Sequence, residues 1–572
     1  MALLLAGFAL RWPGVGWGLP QQTYRDGMVL STQVELLRGA AADPGANEFW
    51  GYYPHLLSRV VATCVGDYDA ALSEPLDLSA HLARASEPWL TARQVSVLAS
   101  LLAVPAAFFV ARRFVSSAWA VFAAALVTMS IFHISFGQQE KPHGPISALV
   151  PWAVLAAVEL RRRPCVAWWT LATVSAALAI ATLQSGFFAL GSAGVAVALL
   201  LRGSELNREG HVSRRRLVAI GLVATAVVLG GTVRIFYPFH FDEHVERAVV
   251  ESGMSLGGHP VDFAKFNFAG ARNMFVTLYL FEPVLLALSA IGLVVFAVRR
   301  LRRVGADVER RRDLLVMCGF VVPYSVMLCV YEDAFDRFLM PLVPFLAALA
   351  AYGAAALVAR ASKPIALAVA ALALVEPAAA SWRMGRVRAH PDTQAQVAQW
   401  IRENARPEDK VYVYPYVDLP LFYSEAAVAE LGDDEVVLTW MGYQTRIARQ
   451  LKLGPAFTVI PPGNAKQELA ELGQDPLGRL RARGARFVVI QALGERYRQK
   501  VLVKLREQLS AECTRVFRAS PFEGAGRNGR VWIRYAMTLD QEPAWWRLFR
   551  EVSVGTTLEV YALDTPRSEA SK

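Results

Sequence analysis

The stretch Arg93-Gln94-Val95-Ser96-Val97-Leu98-Ala99-Ser100-Leu101-Leu102-Ala103-Val104-Pro105-Ala106-Ala107-Phe108-Phe109-Val110-Ala111-Arg112-Arg113 decides the fold class. Between its terminal arginines it carries no charge. At about 1.5 Å per residue, a helix over 93–111 reaches roughly 28 Å, which matches a bilayer hydrocarbon core of about 30 Å. Working outward, the same kind of segment recurs at 115–135, 144–160, 166–183, 185–201, 216–236, 273–298, 313–331, 338–359 and 364–381, with a shorter one at 1–10. These eleven segments predict a polytopic α-helical membrane protein. The composition agrees: of 572 residues 54% are apolar and 19% charged, below the roughly 25% charged of soluble domains. Met1–Trp12 is too short to span unaided and has no basic leader, so it reads as a truncated first helix rather than a signal peptide.

The net charge of +10 would suit a nucleic-acid binder, but its placement argues otherwise. Arg112-Arg113, Arg161-Arg162-Arg163, the 202–216 loop, the 299–312 loop and the run from Arg360 to Lys363 fall on alternate connections. The positive-inside rule places them in the cytoplasm. Eleven crossings then put the N-terminus inside and everything after Trp382 outside, with no nucleic acid as partner. The five cysteines (Cys64, Cys165, Cys318, Cys329, Cys513) form no CxxC or Cys/His cluster. Only Cys64 and Cys513 are predicted outside, and a bridge between them is the less favoured reading.

The segments divide the chain into a transmembrane domain, 1–382, with a long first outer loop at 12–92, and a soluble outer domain, 383–572. Loops as long as the first usually carry function. The tail alternates helix and strand: Gln394–Asn404 has apolar residues at helical spacing, Lys410–Tyr414 and Arg486–Ile490 read as strands, Glu495–Leu509 as a basic helix, and Val531–Ala536 and Thr557–Leu563 as further strands. This predicts a C-terminal extracytoplasmic α/β domain. It contains no GxGxxG or P-loop, so no nucleotide site is expected.

Ionisable residues at outer helix mouths are the candidates for chemistry. Asp26, just outside the first helix, is placed to take a proton from an acceptor hydroxyl, although the same position suits a turn or cap. The short loop from His133 to Pro145 concentrates polar groups between two apolar helices. There Lys141 suits a phosphate, and Glu140 or His143 suits an acceptor or a metal. Arg93 and Arg337 offer permanent guanidiniums for a lipid phosphate; the competing roles are snorkelling or pairing with a local acid, such as Asp336 for Arg337. Tyr52, Tyr53 and His55 offer rings and a polar edge to a sugar, or to the membrane surface. His240, Asp242, Glu243, His244 and Glu246 resemble metal ligands in type but not in spacing.

In this order the pieces resemble the GT-C glycosyltransferases, and most nearly the protein O-mannosyltransferase and aminoarabinose-transferase branch, glycosyltransferase family 39. The resemblance runs over nearly the whole chain. Arg11 to Asp26 looks like the stretch leading to the family's catalytic acid, and Tyr52-Tyr53-Pro54 like its Tyr-Pro element. Arg93 to Arg113 resembles its second helix, and Phe132 to Pro145 its second outer loop. Arg337-Phe338-Leu339-Met340-Pro341-Leu342-Val343-Pro344 is similar to its Arg-aromatic-x-x-Pro-x-x-Pro helix start, and Asp392 to Asn404 to the opening of its outer domain. The tail lacks the β-trefoil of eukaryotic protein mannosyltransferases, so the resemblance is to the bacterial branch.

The resemblance implies a multi-pass protein of the cytoplasmic (inner) membrane with an extracytoplasmic site. It implies an inverting transfer from a polyprenyl-phosphate sugar to a hydroxyl on a glycan, lipid or protein acceptor. Asp26 would be the base, Arg93, Lys141 and Arg337 the phosphate holders, and a divalent metal is optional. Two positions depart from the family pattern. Gly27 follows Asp26 where many relatives have Glu, and His143 stands where many have Asp, with Glu140 the nearest substitute. The alternative readings are a transporter or flippase of lipid-linked saccharides and a catalytically inactive GT-C scaffold.

Overall fold

A backbone in hydrocarbon must satisfy its own polar groups, which leaves helices as the only option for segments like these. The computed structural model describes residues 1–19, 60, 64, 78–202, 208–236, 255–256, 259–260, 263–301, 308–332, 334, 336–413, 417, 419–421, 457–460, 475–491, 500–522, 550, 552–555 and 557–563. Helices stand on every apolar stretch read from the sequence. They are α1 (Ala2–Arg11), α2 (Leu78–Leu101), α3 (Ala103–Ala111), α4 (Ser117–Met129), α5 (Ile131–Gly137), α6 (His143–Arg162), α7 (Val166–Thr182), α8 (Ala189–Arg202), α9 (Arg208–Phe236), α10 (Ala269–Phe281), α11 (Pro283–Leu301), α12 (Val308–Val330), α13 (Val343–Leu357) and α14 (Lys363–Arg388). Six of the described helical stretches are long and apolar enough to cross a membrane, and α4 with α5 makes a seventh bent by 52°. Shorter apolar helices add Ala2–Arg11, Val166–Thr182, Arg216–Thr232 and Pro283–Arg299. These features fit a helical membrane protein.

Three stretches read as single helices are interrupted, 93–111 by the single turn residue Leu102. The segment 115–135 breaks at Ser130, whose backbone is extended at φ −65° and ψ 114°. The segment 273–298 breaks at Glu282, where Pro283 has no N–H to continue α10. The helix predicted from Arg93 starts earlier, at Leu78.

The described residues fall into two compact units. The first takes Met1–Pro13 and Ala92–Met384; the second takes 14–19, 78–91 and the described residues from Gly385 onward. Contacts therefore draw the ends of the first loop in with the tail, whereas the sequence reading kept all of 12–92 with the membrane helices.

Within the first unit, helix pairs lack the water that drives apolar association, so close backbone approach has to hold them. Small residues permit it. A Cβ on Gly353 (α13) would collide with Leu288 O and lie 2.6 Å from Gly292 N of α11. A Cβ on Gly319 (α12) would lie 2.6 Å from Gly191 O of α8. At one end of the bundle, Arg161 donates to Asp313 at 2.6 Å and to Glu309 at 2.8 Å, and Arg162 Nε donates to Asp313 at 3.0 Å. These arginines thus tie α6 to α12.

The second unit holds a five-stranded sheet built from β3 (Lys410–Val413), β4 (Thr458–Ile460), β5 (Ala485–Gln491), β6 (Thr514–Ala519) and β7 (Leu558–Ala562); β1 (Ser255–Leu256) and β2 (His259–Pro260) form a separate two-stranded ladder. The sheet order is β4-β3-β5-β7-β6, parallel from β4 to β5 and antiparallel across β7 and β6. Helix α15 (Thr393–Asn404) covers one face, its Trp400 stacked on Phe517 at 5.7 Å and edge-on to Phe487 at 5.5 Å. Helices α16 (Pro476–Ala482) and α17 (Lys500–Glu512) cover the other, burying Leu480, Leu505 and Leu509 against Val488, Ile490 and Tyr561. Cys513 is buried in this core and Cys64 is exposed; both are free thiols, so the bridge considered from the sequence is not formed.

Candidate functional site

The site is built where α5 ends and α6 begins, and it rests on the break at Ser130. A broken helix leaves carbonyls at the end of one segment and N–H groups at the start of the next without helical partners. Here side chains distant in sequence supply them. Arg11 donates to Thr128 O at 3.0 Å and Val127 O at 3.1 Å, and Ser381 donates to Met129 O at 2.5 Å. On the far side, one oxygen of Glu282 accepts both the Ser130 hydroxyl at 2.6 Å and the Phe132 N–H at 3.0 Å, while Ser130 Oγ accepts the His133 N–H. The cation thus sits at the carbonyl end of α4 and the acid at the N–H end of α5, the signs that the peptide dipoles favour.

The brace continues into the loop. Arg11 Nη2 lies 3.1 Å from His133 Nδ1. A guanidinium only donates, so Nδ1 accepts and the ring proton sits on Nε2. That proton goes to Ser147 Oγ at 2.9 Å, and Ser147 donates to Gly144 O. Gln138 donates to Arg11 O at 2.6 Å and Pro13 O at 2.9 Å, so the loop also holds the C-terminal end of α1.

Three elements meet on this platform. Helix α2 presents Arg93, Ser96 and Ser100 at i, i+3 and i+7, one helical face. It packs close because Gly137 and Gly144 lack side chains: a Cβ there would lie 2.9 Å from Ser100 Oγ and 2.7 Å from Ser96 Oγ respectively. Arg93 Nε donates to Glu140 at 2.8 Å, in a pair with almost no solvent exposure. The other Glu140 oxygen is buried and has no hydrogen-bond partner among the described residues. The short 3₁₀ segment Asp336–Leu342 brings the third element, pinned by the Tyr324 hydroxyl donating to Phe338 O at 2.7 Å. Its Phe338 ring packs edge-on against His143 at 5.7 Å, and Phe136 closes the other side of His143 at 6.3 Å. The Arg337 guanidinium lies 5.6 Å from the Phe338 ring centre. Asp336 accepts the Arg337 backbone N–H at 2.7 Å and lies in the electrostatic field of both Arg337 and Lys141.

Arg93, Glu140, Lys141, His143 and Arg337 are thus all buried and drawn together. Asp26, Tyr52, Tyr53 and His55, like the cluster from His240 to Glu246, lie outside the described residues. Among the described residues no three His, Cys, Asp or Glu side chains gather as metal ligands would. In the sequence Arg11 and Gln138 stand out only as parts of longer stretches, 11–26 and 133–145, and Glu282 not at all. Two of them had a signal: each is a charge inside or ending an apolar stretch, where a charge needs a reason.

No family model matches the chain, and no curated protein matches it in sequence. Solved structures with some likeness include the apo oligosaccharyltransferase of Archaeoglobus fulgidus, 12% identical over 86% of this chain and 69% of that one, with a TM-score of 0.47. They also include ArnT from Cupriavidus metallidurans bound to undecaprenyl phosphate, 14% identical over 90% of this chain and 95% of that one, with a TM-score of 0.42. A third is the mycobacterial arabinofuranosyltransferase AftD, 16% identical over 99% of this chain and 41% of that one, with a TM-score of 0.36. Likeness at this level assigns the chain to no family and carries no activity over to it.

Proposed function

We propose that this chain is a GT-C membrane glycosyltransferase, with eleven crossings and an extracytoplasmic C-terminal domain, that moves a sugar from a polyprenyl-phosphate donor to an acceptor hydroxyl on the outer face of the membrane. The observation that supports it best is that Arg93, Lys141 and Arg337, from three separate elements, are all buried, Arg93 paired with Glu140 and both Lys141 and Arg337 in the field of Asp336. Buried cations are costly and need a reason. Three of them against two acids, Glu140 and Asp336, suit a phosphoryl group, which brings its own negative charge.

In the reaction the acceptor oxygen attacks the anomeric carbon from the face opposite the phosphate. The new C–O bond forms as the bond to the phosphate oxygen breaks, which inverts the centre. The electron pair leaves with the lipid phosphate, where Lys141 and Arg337 stabilise it. The acceptor's proton passes to a carboxylate, and Asp26 is the residue proposed for that role. Arg93 is placed to orient Glu140.

One observation favours a second reading. Transporters use broken helices at mid-membrane, and α4–α5 is one. Its polar groups, however, are taken up by Arg11, Ser381, Glu282 and Ser130, which makes the break a brace rather than an open ion site.

The test is release of polyprenyl phosphate by the purified protein from a panel of polyprenyl-phosphate sugars, comparing wild type with Asp26→Asn and Lys141→Ala. Turnover that collapses in Asp26→Asn supports the assignment of the base. Equal turnover in both removes Asp26 from it. Movement of intact donor across proteoliposomes without release supports the transporter reading instead.

A further inference from the structure

The first unit carries a corner that the proposed transfer does not use. It lies where α10 begins beside the end of α12, a helix long and apolar enough to cross a membrane. Phe268, just before α10, has φ +63°. A bulky aromatic residue in the left-handed region is an outlier, and such strain persists only where the surroundings hold it. The Phe268 N–H donates to Val330 O at 3.0 Å, and the Glu332 N–H to Lys265 O at 2.8 Å. Asn267 accepts the Ala269 N–H at 3.0 Å and donates to a Glu332 carboxylate oxygen at 2.7 Å, while Asn273 donates to Glu332 O at 2.8 Å. Gly270 closes the corner, since a Cβ there would collide with Leu328 O and Tyr331 O. These contacts fix Phe268 at the level where α12 ends.

From this corner α10 runs back along α12. Gly270, Met274, Thr277 and Phe281 are its buried face. Another face carries Arg272, Phe275, Val276 and Tyr279 at i, i+3, i+4 and i+7. That face is open: Phe275 is 58% exposed and Tyr279 49%, with Phe268 at 66%. Arg272 is exposed among these rings and makes no hydrogen bond or ion pair with the described residues. Glu332, the acid of the corner, is engaged by Asn267 instead. Four residues of helix past Phe268 place Arg272 about 6 Å inside the end of α12. A guanidinium that close to a helix end reaches the headgroup layer on its own stem. The anion abundant in that layer is the phosphate of bulk phospholipid, whose oxygens match the guanidinium fork. A zwitterionic headgroup brings its own cation, so the unpaired charge of Arg272 favours an anionic one.

We propose that Arg272, with the face formed by Phe275, Val276 and Tyr279, binds one anionic phospholipid, the phosphate on Arg272 and an acyl chain along the apolar side chains. This site rests on the membrane placement of α12 and not on sugar transfer, so failure of donor turnover does not touch it.

The full chain is purified in a neutral detergent and titrated with phosphatidylglycerol or with phosphatidylcholine of the same acyl chains. Native mass spectrometry counts the retained lipid, and hydrogen–deuterium exchange is followed in peptides covering 263–281. Phosphatidylglycerol is expected to bind roughly tenfold more tightly than phosphatidylcholine, the worth of one charge-assisted contact, and to slow exchange in 263–281 to saturation. Arg272→Gln should remove that preference and leave phosphatidylcholine binding as it was, which also shows that the variant is folded. Phe275→Ala should weaken both lipids alike, because it shortens the surface under the chain and keeps the charge. Arg163→Gln, which removes an exposed arginine outside this corner, should leave the preference and the protection unchanged. Equal binding of the two lipids overturns the site, as does a preference that survives Arg272→Gln. A preference that falls as far with Arg163→Gln overturns it too, since it means general attraction to a basic surface. Protection of 263–281 by a polyprenyl phosphate and not by phosphatidylglycerol gives the face to the donor lipid instead, and protection that rises with protein concentration alone gives it to a second copy of the chain.

Discussion

Replacing Glu282 by Leu and by Gln should have very different consequences, and the difference follows from one detail of the break at Ser130. The Ser130 hydroxyl and the Phe132 N–H both donate to the same oxygen of Glu282, at 2.6 and 3.0 Å. Leu removes that acceptor and leaves two donors buried in an apolar bundle. At about 1–3 kcal/mol for each of the two unsatisfied buried groups, Glu282→Leu should cost roughly 2–6 kcal/mol. Gln keeps an oxygen at the same branch of the side chain and can accept both bonds, so Glu282→Gln should cost about 1 kcal/mol or less. Thermal unfolding of purified protein, followed by tryptophan fluorescence, ranks the three proteins, and donor turnover shows whether loop 138–143 has moved. The expected result is a near-native Gln variant and a Leu variant that is both less stable and slower. If Gln is as damaging as Leu, the acid itself and not its oxygen is required. That result would sink the brace interpretation and favour a carboxylate that carries a proton or ion. If Leu is neutral, the two bonds do not hold the break.

Three further outcomes are expected. Gly353→Leu should force α13 away from α11, because the new side chain would meet backbone rather than a movable side chain, at a cost of roughly 1–3 kcal/mol or more; unfolding temperature reads it, and an unchanged value would mean the helices do not touch as described. In the second unit, partial burial pushes the Asp409 carboxyl up, but the Arg486 side chain and the Arg406 backbone N–H, both donating to it, hold it below its ordinary value of 3.8. A depressed carboxyl stabilises the fold above its unfolded value and loses that contribution as pH falls through the folded one. The stability gap between wild type and Asp409→Asn should therefore be full near neutrality and close below pH 3.8; a gap that ignores pH would refute the pairing. Finally, Cys64 and Cys165 are exposed and Cys513 is buried, its thiol pushed up chiefly by burial. A membrane-impermeant maleimide applied to intact cells should label Cys64 and spare Cys165 and Cys513, and labelling of Cys165 before lysis would invert the proposed topology.

The helices were legible because hydrocarbon imposes so simple a rule. A stretch such as 93–111 can be nothing but a helix, and basic residues at its end mark where it stops. The tail was legible for another reason: Val397, Trp400 and Ile401 repeat at helical spacing, and Arg486 to Ile490 is a β-branched run flanked by polar residues. Strand β6 was missed because Thr514–Ala519 carries Arg515 and Arg518 and has no long apolar run. It is an edge strand, and only its inner neighbour β7 shows the apolar burial that pattern reading detects.

The breaks at Ser130 and Glu282 were lost because hydropathy averages over a window, and one polar residue among eighteen apolar ones barely moves the mean. Yet these two residues answer each other: Ser130 ends α4, Glu282 ends α10, and a hydrogen bond joins them. Such reciprocity is a property of the packed bundle, since 152 residues separate the partners. The cations of the site were visible because a guanidinium or ammonium at a helix mouth is conspicuous by itself. The groups that bring them together were not, because Arg11, Gln138 and Ser147 act through carbonyls, which every residue has. This asymmetry explains where the chemistry sits. A bend of 52° at Ser130, held by Arg11 and Glu282 from two distant helices, redirects the chain into the buried loop after Gly137, and that turn brings Glu140 to Arg93 and His143 to Phe338. Had α4 continued straight, Glu140, Lys141 and His143 would have followed one helical path away from that meeting point, and the bundle would hold the same charged residues without a site.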